Sequence, residues 1–357
     1  IIQEQEAYWK QKLAGVPTVM NWALDKQRPQ EASNKGSLIE FSLSKEACKD
    51  YNTFPSRFRV SAFQAVLAAY GTMLCRWTSQ QTVLIGSSYA NRRPDTKDLI
   101  GYFLNILVMR FDLHPTQQFG DLVSEVSTTV KEAMSNSNVP LQRLVDLVGA
   151  ERVPGMNPLL QAGISGGDKS WLELPEFEGC SGPPEAVPFD LGTSKMDLTL
   201  SFGQLADDDV RFELTYNTDV FREDTVRRMA DSFISILEVG LKAPNTAVLD
   251  LPVVPAPQRA LIMEKFQGAY QPEVFRTPPV HYQFEAQAAA NPSAPAVVLW
   301  DGSTLNYGQL NERSNQLAHH LRSLGVGPDV PVGVMLERSH DLIIAFLAAL
   351  KAGGCYL

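Results

Sequence analysis

The segment IGYFLNILVMR, residues 100–110, is a nearly unbroken apolar run with one amide side chain in its middle. Because its apolar residues are continuous and do not alternate, Leu104 to Met109 are predicted to form a strand buried on both faces. Asn105 then needs hydrogen-bond partners, since burying an amide unpaired costs about 1–3 kcal/mol. Two interpretations stay open: Asn105 pairs with backbone at a bulge beside Gly101, or the run lines a substrate passage.

The composition of the chain indicates a globular protein of more than one folding unit. The 357 residues are 44% hydrophobic and 20% charged, which is typical of soluble domains, and the length suggests two or three of them. A net charge of −9 argues against a nucleic-acid partner. No apolar run approaches the roughly 20 residues that span a bilayer, so no membrane partner is expected.

The four cysteines, at positions 48, 75, 180 and 355, are far apart and show no CxxC spacing. Neither a metal site nor a disulfide framework is therefore predicted, and a cytoplasmic location is expected. The chain begins without Met at Ile1 and stops at Leu357 within a predicted strand. We therefore expect it to be a fragment of a longer polypeptide.

Strand and helix patterns alternate along the chain and change character twice. A helix is predicted at 61–77, with Ser61 as its N-cap. Residues 166–194 are predicted to form an extended loop or an edge hairpin. An antiparallel pair of strands is predicted at 197–202 and 210–216, across the turn of Asp207, Asp208 and Asp209. The patterns continue to a clear amphipathic helix at 222–241, which predicts an α/β or α+β layered domain. A Pro-rich stretch with linker composition follows, and it contains a short predicted helix at 258–266. From residue 280 a new strand–helix–strand pattern begins, with Asp301-Gly302 as a hairpin turn signal.

The run at 100–110 resembles the "IGxFVNTLxxR" motif of nonribosomal peptide synthetase condensation domains, with Ile106 in place of the usual Thr. Further matches extend to about residue 257: "YWKQKLAG" at 8–15, "ANR" at 90–92, "VPLQRLV" at 139–145, "NPLLQ" at 157–161, "KMDLTLSF" at 195–202 and "YNTDVF" at 216–221. Two stretches, 136–142 and 152–159, depart from the family's "HQDxPFExLV" and "RDxSRNPL". A divergent subtype and a weakened site both remain open.

The resemblance implies where the reaction centre lies. The family's "HHxxxDG" motif, which supplies the active-site His, is expected upstream of residue 1, so no catalytic residue is assigned here. Arg92 is expected to face the active site and to pair with the Asp of that motif; the alternative is a surface Arg in a polar loop. Asn105 and Gln161 are candidate contacts to the pantetheine arms or the peptide. The family-motif residues expected to be structural in this first part are Gly101, Phe103, Arg110, Asn157, Pro158 and Asp197.

The last part, 280–357, resembles the start of an adenylation domain. The matches are "LNYGQL" at 305–310 and "LKAGGCYL" at 350–357, beside the family's "LTYxEL" and "LKAGGxYxP". Tyr307, Gly353 and Gly354 are expected to be structural. Lys351 invites comparison with a phosphate-binding residue, but a helix C-cap is the better account. His319-His320 lacks a following Asp-Gly and is predicted to lie on a solvated helix face. The family's phosphate-binding loop, aminoacyl pocket and catalytic Lys are expected beyond residue 357.

The expected fold is thus α/β (α+β), in three parts. Residues 1–243 are predicted to be the C-terminal, chloramphenicol-acetyltransferase-like lobe of a condensation domain. Residues 244–279 are predicted to be a Pro-rich interdomain linker with a short helix. Residues 280–357 are predicted to be the truncated α/β N-terminal portion of an adenylation domain.

The expected function is that of part of a synthetase elongation module. The complete condensation domain would form a peptide bond between carrier-tethered thioesters, and the adenylation domain would activate an amino acid. The implied partners are carrier protein domains and the amino acid. The full synthetase would use 4′-phosphopantetheine, ATP and Mg²⁺, with no cofactor bound by this fragment, which alone is expected to be inactive. Two alternatives are a pseudo-module acting only in carrier-protein binding and, less favoured, a stand-alone acyltransferase of the same fold.

Overall fold

The computed structural model describes residues 2–92, 96, 98–167, 179, 190–268, 271–273 and 277–357. It divides the chain into two compact units, one up to Glu264 and one from Lys265 onward. The two units are described separately below.

The first unit is built on a six-stranded mixed sheet with the order β1-β6-β5-β4-β2-β3. Strand β2 is parallel to β4, and β4 is parallel to β5, whereas the remaining neighbours are antiparallel. The strands are β1 (Gly36–Ser42), β2 (Thr82–Tyr89), β3 (Asn105–Asp112), β4 (Ala162–Gly167), β5 (Leu198–Ala206) and β6 (Asp209–Asn217). Parallel and antiparallel pairs in one sheet confirm the predicted α/β (α+β) class.

The helices of the first unit are α1 (Ile2–Lys12), α2 (Lys45–Phe58), α3 (Ala62–Thr78), α4 (Phe119–Ser135), α5 (Leu141–Leu147), α6 (Glu223–Lys242) and α7 (Ala256–Lys265). Helix α3 is almost entirely buried, since its apolar residues surround the axis. A capping box between Ser61 and Gln64 begins it. The core lies between the sheet and helices α3, α4 and α6.

Strand β3 differs from the prediction at its start. Leu107, Val108 and Met109 are buried in succession, which matches a strand covered on both faces. The strand begins at Asn105, however, and Leu104 before it is 40% exposed. Tyr102 is 87% exposed and Ile100 fully so. The apolar run therefore splits into a buried strand and an exposed loop, because β3 is the edge strand and nothing described here covers the loop.

The β-hairpin predicted across the Asp-rich turn is present. Strands β5 and β6 pair antiparallel around residues 207–208, with an irregularity between Gln204 and Ala206. The extended loop predicted for 166–194 lies mostly outside the described residues. Its end is described, and there Gly36 donates to the carbonyl of Gly192.

The first part of the Pro-rich stretch packs on the first unit. Val248 and Leu251 are buried in its core. Arg76 donates to the carbonyl of Leu249 at 2.9 Å, and Phe119 donates to that of Thr246 at 3.0 Å. Residues 244–251 thus belong to the first unit's packing. The boundaries drawn for the linker stay a prediction.

The second unit contains three helices and two short pairs of strands among its described residues. The helices are α8 (Val280–Ala290), α9 (Tyr307–Ser323) and α10 (His340–Lys351), and the strands are β7 (Pro295–Val298), β8 (Thr304–Asn306), β9 (Pro331–Val332) and β10 (Cys355–Tyr356). Strands β7 and β8 form the predicted antiparallel pair, and β9 and β10 are parallel. Strand β9 is limited to Pro331 and Val332, which pair in register with β10. The N–H of Val334 donates to the carbonyl of Leu357 beyond that pair.

A search of the described residues finds no single helix long and apolar enough to cross a membrane. Helices α2 and α3 are long and apolar enough only when they are taken together, and the chain bends by 108° between them.

Candidate functional site

The parallel strands define a candidate site at one edge of the sheet. The carboxyl ends of β2, β4 and β5 lie at the same edge, and β3 starts there because Asn105 pairs with Tyr89. We call residues 89–92, 101–105 and 165–167 the carboxyl edge. In open α/β sheets ligands bind outside the carboxyl ends of parallel strands. The predicted residues Arg92 and Asn105 both lie at this edge.

Arg92 is engaged by main-chain oxygens of its own loop. Its guanidinium donates to the carbonyls of Thr96, Leu99 and Gly101 at 3.0, 2.7 and 3.2 Å. The same guanidinium lies 4.7 Å from the centre of the Phe103 ring. A planar group with five N–H donors suits several acceptors at once. This exposed Arg therefore shapes the loop that leads into β3; its predicted pairing with a carboxylate stays a prediction.

Asn105 is paired with backbone on both sides of its amide. Its Nδ2 donates to the carbonyls of Ser137 and Val139 at 2.8 and 3.0 Å. Its Oδ1 accepts from the N–H of Ile106 at 2.9 Å. No bulge is involved, because β2 and β3 keep a continuous register from Tyr89↔Asn105 to Thr82↔Asp112. The half-buried amide thus ties the start of β3 to the connection between α4 and α5.

Two side chains of α1 bind the same connection. Gln5 donates to the carbonyl of Ser135 and accepts from the N–H of Asn138, at 2.9 and 3.1 Å. The indole of Trp9 donates to the carbonyl of Asn136 at 2.9 Å. We call segment 135–139 with Gln5, Trp9 and Asn105 the main-chain cradle. In the cradle, three side chains bind four carbonyls and one N–H of five successive residues.

Gln161 lies at the opposite edge of the sheet. It precedes Ala162, which pairs with Ile85 of β2, so Gln161 is level with Leu84. Leu84 and Tyr89 are about 16 Å apart along the strand. Its side chain is 1% exposed and bonded to the main chain. The Nε2 donates to the carbonyls of Thr18 and Asn157, and the Oε1 accepts from the N–H of Met20. The structure does not bring Gln161 together with Arg92 and Asn105, and the geometry favours a structural role.

We call Gln161, Asp197 and segment 24–36 the amino edge, and segment 24–36 by itself the crossing segment. A buried ion pair lies at this edge, beside Gln161. Arg28 holds Asp197 through two parallel bonds of 2.8 and 2.6 Å, with side chains 12% and 4% exposed. The sequence pointed to Asp197 through its motif but not to Arg28. The available signal was one Arg in a polar segment, and charge alone does not predict burial.

A cavity of about 350 Å³ adjoins this pair. Its lining includes Asn157, Met196, Asp197 and Asn217. The side-chain amide of Asn157 donates to the carbonyl of Lys195, which fixes one wall. The polar groups beside the cavity bind the crossing segment. We therefore interpret the cavity as space left between packed elements at the amino edge.

The remaining motif residues of the first unit are structural where they are described. Arg110 donates to both carboxylate oxygens of Asp112 and to the carbonyl of Lys12. A Cβ at Gly101 would lie 3.1 Å from the Phe103 ring. These contacts attach α1 and the exposed loop to β3.

One thiol and two phenol groups of the first unit have raised pKa values and stay neutral. Burial raises the pKa of the Cys75 thiol and of the Tyr70 phenol far above their ordinary values. Burial also raises the pKa of Tyr8, and the bond to Glu132 adds to that shift. Such a thiol is a poor nucleophile. No group of three or more His, Cys, Asp or Glu with metal-binding geometry occurs among the residues described.

In the second unit Lys351 is buried among three helices. Its Nζ donates to the Oδ1 atoms of Asn311 and Asn315 at 2.5 and 2.7 Å. Glu285 lies 3.6 Å away, and the ring centre of Phe284 lies 5.1 Å away. Lys351 does end α10, as expected, but its side chain does not cap the helix.

Glycines form the turn after α10. Gly353 has φ +94°, which an L side chain rarely adopts, and a Cβ at Gly354 would lie 2.7 Å from the carbonyl oxygen of Val330. Tyr307 begins α9 and stacks on Phe284. His319 and His320 are exposed on α9, in keeping with a solvated face. The contacts found for Tyr307, Gly353 and Gly354 are thus with residues of the second unit itself.

Comparison with known families gives two matches along the chain. A family model described as condensation domain matches residues 1–263, and one described as AMP-binding enzyme matches residues 284–357.

Similar proteins of known name are large synthetases. Chondramide synthase of Chondromyces crocatus is 35% identical over 100% of this chain, which covers 9% of that protein. Phosphinothricin tripeptide synthetase of Streptomyces viridochromogenes is 34% identical over 98% of the chain, which covers 32% of it. A dimodular nonribosomal peptide synthase of Bacillus subtilis is 32% identical over 100% of the chain, and 15% of it is covered. The chain spans under a third of each of these relatives.

Similar solved structures show the fold. A four-domain nonribosomal peptide synthetase bound to AMP and glycine aligns with 99% of this chain at a TM-score of 0.69 and 21% identity, with 27% of that structure covered. The X-domain from teicoplanin biosynthesis aligns with 70% of the chain at a TM-score of 0.62 and 22% identity, and 57% of that chain is covered.

Proposed function

This chain belongs to the condensation-domain family and continues into the start of an AMP-binding enzyme domain, and from that premise we propose that it is part of a nonribosomal peptide synthetase elongation module. The observation that carries the proposal is the order of the two matches, because synthetase relatives align with 98–100% of the chain, across both matched regions.

The proposed division of the chain follows the predicted one. Residues 1–243 are assigned to the C-terminal lobe of the condensation domain, 244–279 to the interdomain segment and 280–357 to the N-terminal portion of the adenylation domain. The lobe assignment is supported by the solved X-domain, of which this chain covers 57%. A further lobe would account for the remainder.

The proposed reaction is amide-bond formation between two carrier-tethered thioesters. The amine of one aminoacyl thioester attacks the carbonyl of the upstream thioester; a C–N bond forms, the C–S bond breaks and the thiol leaves with the proton. The residues of this chain would act as the wall at the carboxyl edge. Arg92 would orient the loop before β3, and Asn105 would hold the segment beside it.

The proposed partners are carrier protein domains and the activated amino acid. When bound to the full synthetase, 4′-phosphopantetheine carries the thioesters, and ATP with Mg²⁺ activates the amino acid. Among the described residues of the second unit there is no group of three or more His, Cys, Asp or Glu that could hold Mg²⁺. A cytoplasmic location is part of the proposal, on the basis of the free thiols of Cys48, Cys75 and Cys355.

The two rival functions have less support. The relatives that match are synthetases, and they give no support to a pseudo-module that only binds carrier proteins. A stand-alone acyltransferase would not continue into an AMP-binding domain.

The proposal is tested with the full synthetase that contains this chain. We expect amino-acid-dependent pyrophosphate exchange and, with both carriers loaded, a peptide on the downstream carrier. The 357-residue chain alone should show neither activity. Pyrophosphate exchange without peptide formation would reject the condensation role, and exchange by the chain alone would reject the assigned domain boundaries.

A further inference from the structure

The connection between α4 and α5 is held from outside by side chains of other elements. Segment 135–139 has its carbonyls at 135, 136, 137 and 139 and its N–H at 138 bound by Gln5, Trp9 and Asn105. These side chains lie more than 30 positions away in sequence, so the bonds are tertiary contacts. The segment is thus held in shape by bonds to its main-chain atoms.

Asn105 has a distinct place among the three. Gln5 and Trp9 come from α1, whereas Asn105 starts β3 at the carboxyl edge. Its one amide nitrogen supplies both hydrogens to two carbonyls, at 2.8 and 3.0 Å. Its oxygen is fixed by the N–H of Ile106. The amide therefore sets the distance between segment 135–139 and the end of β2, where Arg92 follows.

We infer that Asn105 is a positioning residue of the condensation reaction, acting through segment 135–139, which it fixes as a wall of the carboxyl edge. This inference rests on the proposed function for its link to catalysis, but the cradle itself is a property of the chain. Side-chain changes at 136–138 are compatible with an intact wall, since the bonds are made to main-chain atoms.

An isosteric charge change at Asn105 gives a specific test. In Asn105→Asp the ionised carboxylate has no hydrogen to donate and faces two carbonyl oxygens. The protonated acid regains one donor. Asn105→Leu, of similar size, has no donor at any pH. A donor role thus predicts a defect that depends on pH in the Asp variant only, whereas a volume role predicts that both variants behave alike at every pH.

The first measurement is amide hydrogen exchange in the 357-residue chain at about pH 8 and about pH 5, each variant compared with wild type at the same pH. At the higher pH we expect amides of 136–139 to exchange about tenfold faster in both variants, as loss of a buried hydrogen bond predicts. At the lower pH the Asp variant should recover toward wild type and the Leu variant should not. Asn21→Asp, at an exposed position, adds the same charge and should change nothing.

The second measurement is condensation turnover in the full synthetase. We expect kcat for peptide formation to fall about tenfold in both variants. Partial recovery at the lower pH should occur in the Asp variant only, and pyrophosphate exchange should be unchanged. If both Asn105 variants fail to fold, Gln5→Glu replaces them, because it keeps the acceptor for Asn138 and removes the donor to Ser135.

The outcomes separate the role inferred for Asn105 from the proposed function of the chain. Unchanged exchange in 136–139, or a defect that is the same at both pH values in both variants, would overturn the donor role. Faster exchange with unchanged condensation would overturn the positioning role and leave the proposed function standing. A wild-type synthetase without condensation activity would reject the proposed function, whereas the exchange data would still report on the cradle.

Discussion

The two edges of the first unit's sheet are held by different kinds of contact. At the amino edge, Arg28 and Asp197 form a bidentate ion pair with side chains 12% and 4% exposed. At the carboxyl edge, exposed Arg92 and half-buried Asn105 donate to main-chain carbonyls. A buried pair is costly to break, whereas exposed bonds to backbone add little stability. We infer that the amino edge stabilises the fold, and we propose the carboxyl edge as the one available for function.

The largest expected effect is at the buried pair. Arg28→Met leaves the carboxylate of Asp197 buried without its partner, so the free energy of unfolding should fall by about 3–5 kcal/mol. Urea denaturation of the chain, followed by Trp fluorescence, measures this change. Lys45→Met is the matched control: its pair with Asp208 is 84% and 62% exposed, and a change within about 1 kcal/mol is expected. Equal effects of the two substitutions on the free energy of unfolding would contradict the distinction between a buried and an exposed ion pair.

A second buried cation sharpens the comparison. Lys351 has two amide oxygens and a carboxylate 3.6 Å away, with no bidentate partner. Burial lowers the pKa of Lys351, and the nearby Glu285 opposes this shift only in part. The unfolded chain therefore binds the proton more tightly, and its Lys titrates near pH 10.4.

The sign of the pH dependence follows from that difference. Between the lowered pKa and about pH 10.4 the unfolded state holds more protons, so the contribution of Lys351 to stability rises with pH. We expect the midpoint temperature of unfolding of the second unit to rise as pH is raised through this window. The substitution Lys351→Met should remove that rise. Differential calorimetry at several pH values measures it. A contribution that falls with rising pH would show that the Glu285 carboxylate outweighs burial.

The smallest expected effect on stability is at Arg92. Arg92→Lys keeps the charge but loses the planar fork that reaches three carbonyls. Because Arg92 is exposed, the unfolding free energy should change by less than about 1 kcal/mol. Hydrogen exchange at 99–103 should nevertheless be faster than in wild type, whereas a role limited to charge would leave it unchanged.

The sequence patterns predicted the elements better than the contacts between them. The helix beginning at Ser61 and the antiparallel pair β5–β6 were predicted because periodicity and turn residues are local signals. The exposure of Leu104 was missed, because an apolar run does not tell an edge strand from a central one. The place of β3 in the sheet depends on long-range pairing with β2.

The candidate site was predicted only in part for a similar reason. Arg92 and Asn105 both lie at the same end of the β2–β3 pair, and the roles predicted for them stay predictions. The predicted grouping of Gln161 with them was not observed, because strand order and register decide which edge a residue occupies. The contacts of Gln5, Trp9 and Arg28 could not be predicted from local pattern, since each binds a partner more than 120 positions away.

The central claim, that the carboxyl edge is functional and the amino edge structural, is tested by the same substitution at both edges. In the full synthetase we would measure peptide formation per folded molecule for Asn105→Leu and Gln161→Leu, together with the unfolding midpoint of each. The account predicts that Asn105→Leu lowers turnover with little change in midpoint. It predicts that Gln161→Leu lowers the midpoint and leaves turnover intact. Reduced turnover in the Gln161 variant with normal activity in the Asn105 variant would contradict it.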